Sequence, residues 1–307
     1  MQLLRPDHFS VRYDLTFPVL SHLPTSLAYK GAEWQSRYFY HKRGQQREII
    51  RSHMQRVFPD ADSCVVEGWL HDYFRMVEQE ALDTWFLNST AIPDLVKMQG
   101  FEAIQELRES GRRVLLTGGH FGRFWMAGPA MRKAGFRVGT ITRDGGEENE
   151  HHLHPAEYKY RLFKLKKLEK VLGGPFLVEG SDLRPLYREL DRSLITLIFD
   201  VPYAESQAGS VTVPFFNGSI KVPAGIFKIA KKTKAVVVPF YIRDLKGGKV
   251  VAEFSKPLEP NNYNDEEFMS LLARELEMRI SAHPGYWWLW EALPLLWSSN
   301  NHESLSG

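Results

Sequence analysis

The segment LLTGGHFGRFWMAGPAMRKAGF, residues 115–136, holds the residue types and spacing best suited to chemistry. An apolar strand runs into Gly118 and Gly119, and His120 follows at the mouth of an expected helix, FGRFWMAGPAMRKAG, that closes at Gly135. Open α/β sheets bind ligands beyond the carboxyl ends of their strands. Glycines there let a substrate come close to the backbone. Free N–H groups at a helix start can stabilise an oxyanion. The same positive helix end disfavours imidazolium, so His120 should stay neutral and able to take a proton from a hydroxyl or amine. The pattern points to acyl transfer with His120 as general base. The competing reading is a histidine that only caps its helix.

Other residues could assist. Arg143 ends the strand RVGTITR, and its fork of donors suits a phosphate or a developing oxyanion. Asp144 follows it, Asp200 ends the strand LITLIFD, and Glu179 ends PFLVEG. Phe215, Phe216, Asn217 and Gly218 form a turn that could shape an acceptor site or be a plain β-turn. Trp287, Trp288 and Trp290 could anchor at a bilayer interface or fill core. His151, His152 and His154 sit together in a charged loop without regular metal-ligand spacing. The sequence has no cysteine cluster, His-x-x-x-His pair, GxGxxG or Walker loop, so neither a metal nor a cofactor is expected.

The elements around these residues follow from their periodicity. Residues 1–96 read as helical, with a long helix from Ser26 to about Val57 and another from about Ser63 to Phe86. From residue 97 to 307 strands and helices alternate, which predicts an α/β core with a mixed, mainly parallel sheet flanked by helices. Asn264 and the acidic run after it suit the start of the last long helix. With no internal repeat or low-complexity linker, the chain reads as a single domain of 307 residues.

Composition bounds the rest. Hydrophobic residues make up 43% and charged residues 25%, an ordinary globular balance. The single cysteine, Cys64, rules out a disulfide within the chain and fits the cytosol. A net charge of +2 gives no reason to expect nucleic acid as a partner. The basic residues are clustered, however, in Arg161, Lys164, Lys166, Lys167 and Lys170, and again at Lys228, Lys231, Lys232 and Lys234. Such clusters suit an anionic lipid surface or an acidic carrier protein, or are simply solvated helix faces. No apolar run reaches the roughly 18–20 residues of a spanning helix, so any work on membrane lipid is expected to be peripheral.

The blocks GGHFGRFWMAG, TITRD, HPAEYKYRLFKLKKLEKVLGGPFLVEG, LIFDVPYA, VTVPFFNGSIKVPAG and HPGYWWLWE resemble, in order and spacing, those of the lysophospholipid acyltransferase superfamily. Within it the chain is most similar to the lauroyl- and myristoyl-type acyltransferases of lipid A synthesis. The resemblance implies a glycerolipid-acyltransferase-like fold and His120 as base. It implies an acyl carrier protein or acyl-CoA donor, a membrane glycolipid acceptor, and work at the cytoplasmic face of the bacterial inner membrane. Gly118, Gly119, Arg143, Arg161 and Phe215–Gly218 are the positions expected to bind substrate. One departure is serious. The family pairs its histidine with an acid five positions on, and here that position is Trp125. Its indole can only donate. Asp144, Asp200 or Glu179 could supply the carboxylate from another loop. Alternatively the acyl group or acceptor is one that needs less activation, such as an aminoacyl or short-acyl group, or the site is inactive and only binds lipid.

Overall fold

The buried run VVVPFYI and the fully buried VLLTG mark strands covered on both faces, and both lie in the middle of the sheet. A computed structural model of the protein describes residues 7–87, 91–142, 153–202 and 209–299. Its strands are β1 (Val96–Gln99), β2 (Val114–Gly118), β3 (Arg137–Thr142), β4 (Gly173–Val178), β5 (Ser193–Ile198), β6 (Ser210–Phe215), β7 (Gly218–Pro223), β8 (Val236–Asp244), β9 (Val250–Phe254) and β10 (Trp297–Ser299). Seven form one sheet in the order β1-β9-β8-β2-β5-β3-β4. Only the β8–β9 pair is antiparallel, because those strands are joined by a short turn rather than a helical crossover. The mixed, mainly parallel sheet expected from the alternation is therefore present. A second, antiparallel sheet runs β10-β7-β6.

Helices cover both faces. On one face Leu115, Ile195, Val237 and Tyr241 share a cluster with Leu272 and Leu276 of the helix Asp265–Ala282. That helix begins with a capping box, in which Asn264 Oδ1 accepts from the Glu267 N–H at 2.9 Å and Glu267 Oε2 accepts from the Asn264 N–H at 3.0 Å. Such a cap contributes on the order of 1 kcal/mol. On the other face Leu116, Val138, Leu194 and Val238 pack with Met131, Leu168 and Leu172. Tyr13, Phe17 and Tyr29 from the N-terminal helices join that same cluster, so the helical part shares its core with the sheet.

Two helices differ from expectation. The long helix expected over residues 26–57 is two, Thr25–Lys42 and Gly44–Val57, which meet at Arg43 with ψ of 52°. Gly44, one of two glycines in that stretch, starts the second. The helix expected from Phe121 begins late: a 3-10 turn spans Phe124–Met126 and the α-helix is only Ala127–Lys133. Residues 121–123 are instead held by other elements. Phe121 bridges to Trp287, and the Gly122 N–H donates to Tyr286 O at 2.8 Å.

Candidate active site

Strand register assembles the site. β2 pairs in parallel with β5, with Gly118 opposite Ile198. Each chain continues past that pair, and the Phe199 N–H still donates to Gly118 O at 3.1 Å. His120 and Asp200 consequently face each other at the carboxyl end of the sheet. Asp200 Oδ1 lies 2.7 Å from His120 Nδ1. The His120 backbone N–H donates to both carboxylate oxygens, at 2.8 and 2.9 Å. The Trp287 indole N–H donates to Oδ2 at 2.9 Å.

A carboxylate can only accept, so Nδ1 carries the proton and Nε2 presents its lone pair. The Asp200 side chain is fully buried, while that of His120 is 27% exposed, which leaves its ring reachable from solvent. Phe124 meets the ring edge-on at 5.7 Å. Among the described residues nothing hydrogen-bonds Nε2. An oriented imidazole with a buried carboxylate behind it and a free nitrogen in front can take a proton from a nucleophile and stabilise the imidazolium that results.

The two glycines serve this pair. A Cβ on Gly119 would stand 2.6 Å from Leu276 Cδ1 and 2.8 Å from Asp200 Oδ2. One on Gly118 would stand 2.5 Å from Phe240 O. Gly119 thus lets the carboxylate, rather than a substrate, approach the backbone. The helix end expected directly beside His120 lies further on, because the α-helix begins at Ala127. The N–H groups of His120, Phe121 and Gly122 are spent on Asp200, Gly119 O and Tyr286 O.

The C-terminal tryptophans close the back of the site. Trp287 and Trp290 are fully buried. The Trp288 N–H donates to His120 O at 2.9 Å and its indole to Gly122 O at 2.8 Å. This block is therefore core that clamps the histidine loop, which excludes the bilayer-anchor role for Trp287 and Trp290. His120 and Asp200, each at a strand end, are legible in the sequence as candidates, but the third partner, Trp287, is not. Its only cue was an indole-rich run late in the chain. Replacing Trp287 with phenylalanine is expected to cut kcat about tenfold with KM little changed and to cost about 1–3 kcal/mol of stability, since Asp200 loses a donor it cannot replace from water. Steady-state kinetics of acyl transfer and thermal melts check both parts.

The remaining expected residues are scattered or lie elsewhere. Arg143, Asp144, His151 and His152 fall outside the described residues. Glu179 is exposed after β4, and no hydrogen bond joins it to His120. Arg161 is half-buried on the helix Pro155–Leu172. His154 caps that helix, where its Nδ1 accepts from the Ala156 N–H, and its ring stacks on Phe9 at 4.9 Å. Among the described residues no cluster could hold a metal ion. Phe215 is buried with its ring 6.0 Å from Trp287, so it backs the indole that holds Asp200. Phe216, with φ of 53°, and exposed Asn217 make the tight turn into Gly218, where Trp297 and Ser298 pack too closely for any side chain.

Trp125 occupies the position of the family acid as a wall of a small cavity. That cavity, of about 20 Å³, is lined by Phe124, Trp125, Met131, Val138, Leu172 and Thr196 among others. Phe124 belongs to both the cavity and the His120 surroundings. The walls are apolar except for Thr140 and Thr196, and Thr196 Oγ1 is buried without a partner. Lys164 Nζ lies 5.9 Å from the Trp125 ring centre. Nearby, Arg123 is fully buried and ion-paired to Asp83 at 2.9 Å and to Asp244 at 3.0 Å. A charged residue inside the apolar run FGRFW was the available signal for it.

The family model described as bacterial lipid A biosynthesis acyltransferase matches residues 14–293. No curated protein sequence matches the chain. Among solved structures, the chain is similar to the 1-acyl-sn-glycerophosphate (LPA) acyltransferase PlsC from Thermotoga maritima, at 18% identity over 83% of this chain and 94% of that one, with a TM-score of 0.34.

Proposed function

The chain belongs to the bacterial lipid A biosynthesis acyltransferase family, and from that premise we propose that it moves an acyl group from a carrier-protein or CoA thioester to a hydroxyl or amine of a lipid A-like membrane glycolipid. One acyltransferase domain does this work. His120 is the general base: Nε2 takes the proton of the acceptor as it attacks the thioester carbonyl, and the thiolate leaves with the donor. Asp200 holds the ring with Nε2 forward and offsets the charge of the imidazolium. The single observation that carries the reading is the 2.7 Å contact between His120 Nδ1 and Asp200 Oδ1 beside a reachable ring. It answers the absence of an acid at Trp125, since the carboxylate arrives from a different strand, and it opposes an inactive, lipid-binding role. Arg143 is the proposed grip on an acceptor phosphate, with Asp144, Arg161 and the Phe215–Gly218 turn as further proposed contacts.

The cavity between Trp125 and Thr196, at about 20 Å³, has room for only a water-sized group, and the absence of a long apolar tunnel there favours, as second reading, a short or aminoacyl group on the same scaffold. No helix of the described residues is long and apolar enough to cross a membrane, so the proposed placement is peripheral, at the cytoplasmic face of the inner membrane. Mass spectrometry of membrane lipids from cells carrying the intact protein or His120→Ala tests all of this. A lipid mass increment that matches a fatty chain and vanishes in the variant is expected. A small nitrogen-bearing increment would select the second reading, and unchanged lipids would defeat both.

A further inference from the structure

The small cavity beside the site is closed on most sides. Among its walls Met131, Val138, Leu172 and Phe240 are buried. A Cβ on Gly128 would stand 2.3 Å from Leu172 Cδ2, so the helix Ala127–Lys133 lies close against Leu172. The sheet fixes the floor: Thr140 of β3 pairs with Thr196 of β5, and Thr140 Oγ1 donates to Thr196 O at 3.1 Å. Among the described walls only Phe124, Trp125 and Ile198 are partly exposed. All three belong to the neighbourhood of the catalytic pair. Phe124 meets the His120 ring, and the Trp125 ring lies 4.9 Å from that of Phe124. Ile198 pairs with Gly118 and stands two residues before Asp200. The way into this space therefore starts beside His120.

The Trp125 indole is braced on that side. Lys164 Nζ lies 5.9 Å from its ring centre, within reach of a cation–π attraction, and is itself ion-paired with the buried Glu80. A side chain held in this way resists displacement by a lengthening chain. With the indole in place, the space of about 20 Å³ suits one water. It also contains an unpaired hydroxyl, Thr196 Oγ1, which the methyl end of a hydrocarbon chain cannot satisfy. Shortening the indole to a methyl group would join its volume to that space, and apolar cavities of roughly 150 Å³ take up benzene-sized ligands.

We propose that the Trp125 indole is the stop that sets the length of acyl group this site accepts, with the chain running from the carbonyl at His120 past Phe124 and ending against the indole. The proposal rests on the acyltransferase reading and adds its specificity-determining residue. The full-length protein is offered extracted acceptor lipid and an even-numbered series of thioesters from acetyl to palmitoyl, on both CoA and an acyl carrier protein. Each methylene newly buried against apolar walls favours binding by roughly fourfold. In Trp125→Ala the optimum should therefore move to longer chains. The kcat/KM for the member next beyond the wild-type optimum should rise at least about tenfold relative to that optimum. Trp125→Leu should shift the profile the same way by less, and it tests the same point should the alanine variant fail to fold. Free indole, which refills the gap, should return the Trp125→Ala profile to that of the wild type. It should also raise the melting temperature of that variant by about 2 °C or more, with no effect on the wild type. This rescue separates a stop from a residue that only supports the fold. Variants that keep the wild-type length profile overturn the proposal, as does a Trp125→Ala profile that indole leaves unchanged. A wild type that turns over none of these thioesters overturns instead the acyltransferase reading beneath it.

Discussion

Asp200→Asn is expected to lower kcat for acyl transfer by roughly 10³–10⁴-fold while the protein remains folded. The asparagine can place its carbonyl toward only part of the donor set now on the carboxylate: the His120 N–H, His120 Nδ1–H and the Trp287 indole N–H. Its amide would face one of those donors with a donor of its own, and the conflict is relieved by turning the ring or switching its tautomer. Either change withdraws the lone pair from Nε2 and removes the negative charge that supports the imidazolium. His120→Ala should cost about as much, and the double variant little more than either, because the two groups act as one unit. Kinetics of purified enzyme with a thioester donor and extracted acceptor lipid measure this. An Asp200→Asn enzyme within about tenfold of wild type would remove the catalytic pair from the mechanism.

The second large effect concerns folding. Arg123→Met is expected to destabilise the protein by about 3–5 kcal/mol, read from denaturant or thermal unfolding, because it strands two buried carboxylates. Asp83 and Asp244 both pair with this guanidinium, which also donates to Gly248 O at 2.8 Å. Burial already pushes the Asp83 carboxyl up to about 7, against the opposing pull of Arg123 and the Tyr29 hydroxyl. One buried cation between two acids is balanced best when one acid keeps its proton. A raised carboxyl contributes stability that is full below the pKa of the unfolded chain and is lost as pH rises through the folded value. The wild type should therefore lose this share between about pH 4 and 7. Without the guanidinium the carboxyl rises further, so the penalty of Arg123→Met should grow with pH. A penalty that is flat across that range would mean the acids find other partners. Since Arg123 stands three residues beyond His120, loss of this network should also loosen the loop that carries His120.

The sequence by itself determined the class of fold and the family. Alternation of apolar runs with amphipathic segments after residue 96 requires a largely parallel sheet, since strands joined by helical crossovers cannot pair otherwise. Gly118-Gly119-His120 at a strand end offered a candidate base, with Asp144, Asp200 and Glu179 as candidate acids. What local pattern misjudged was local too. FGRFWMAG has the composition of a helix start, but Gly122 takes φ of 64° and its N–H pairs with Tyr286 O, so the helix waits until Ala127.

Only the tertiary structure decided which acid serves the histidine. Asp200 lies 80 residues beyond His120. Their meeting depends on β2 and β5 being neighbours, on the Gly118–Ile198 register, and on a glycine at 119 that admits the carboxylate. The same is true of Trp287, whose indole reaches Asp200 from the far end of the chain. Periodicity reports which residues face the core, because burial repeats with the geometry of a single element. Strand order and register arise from the packing of many elements at once, and no window of sequence contains them.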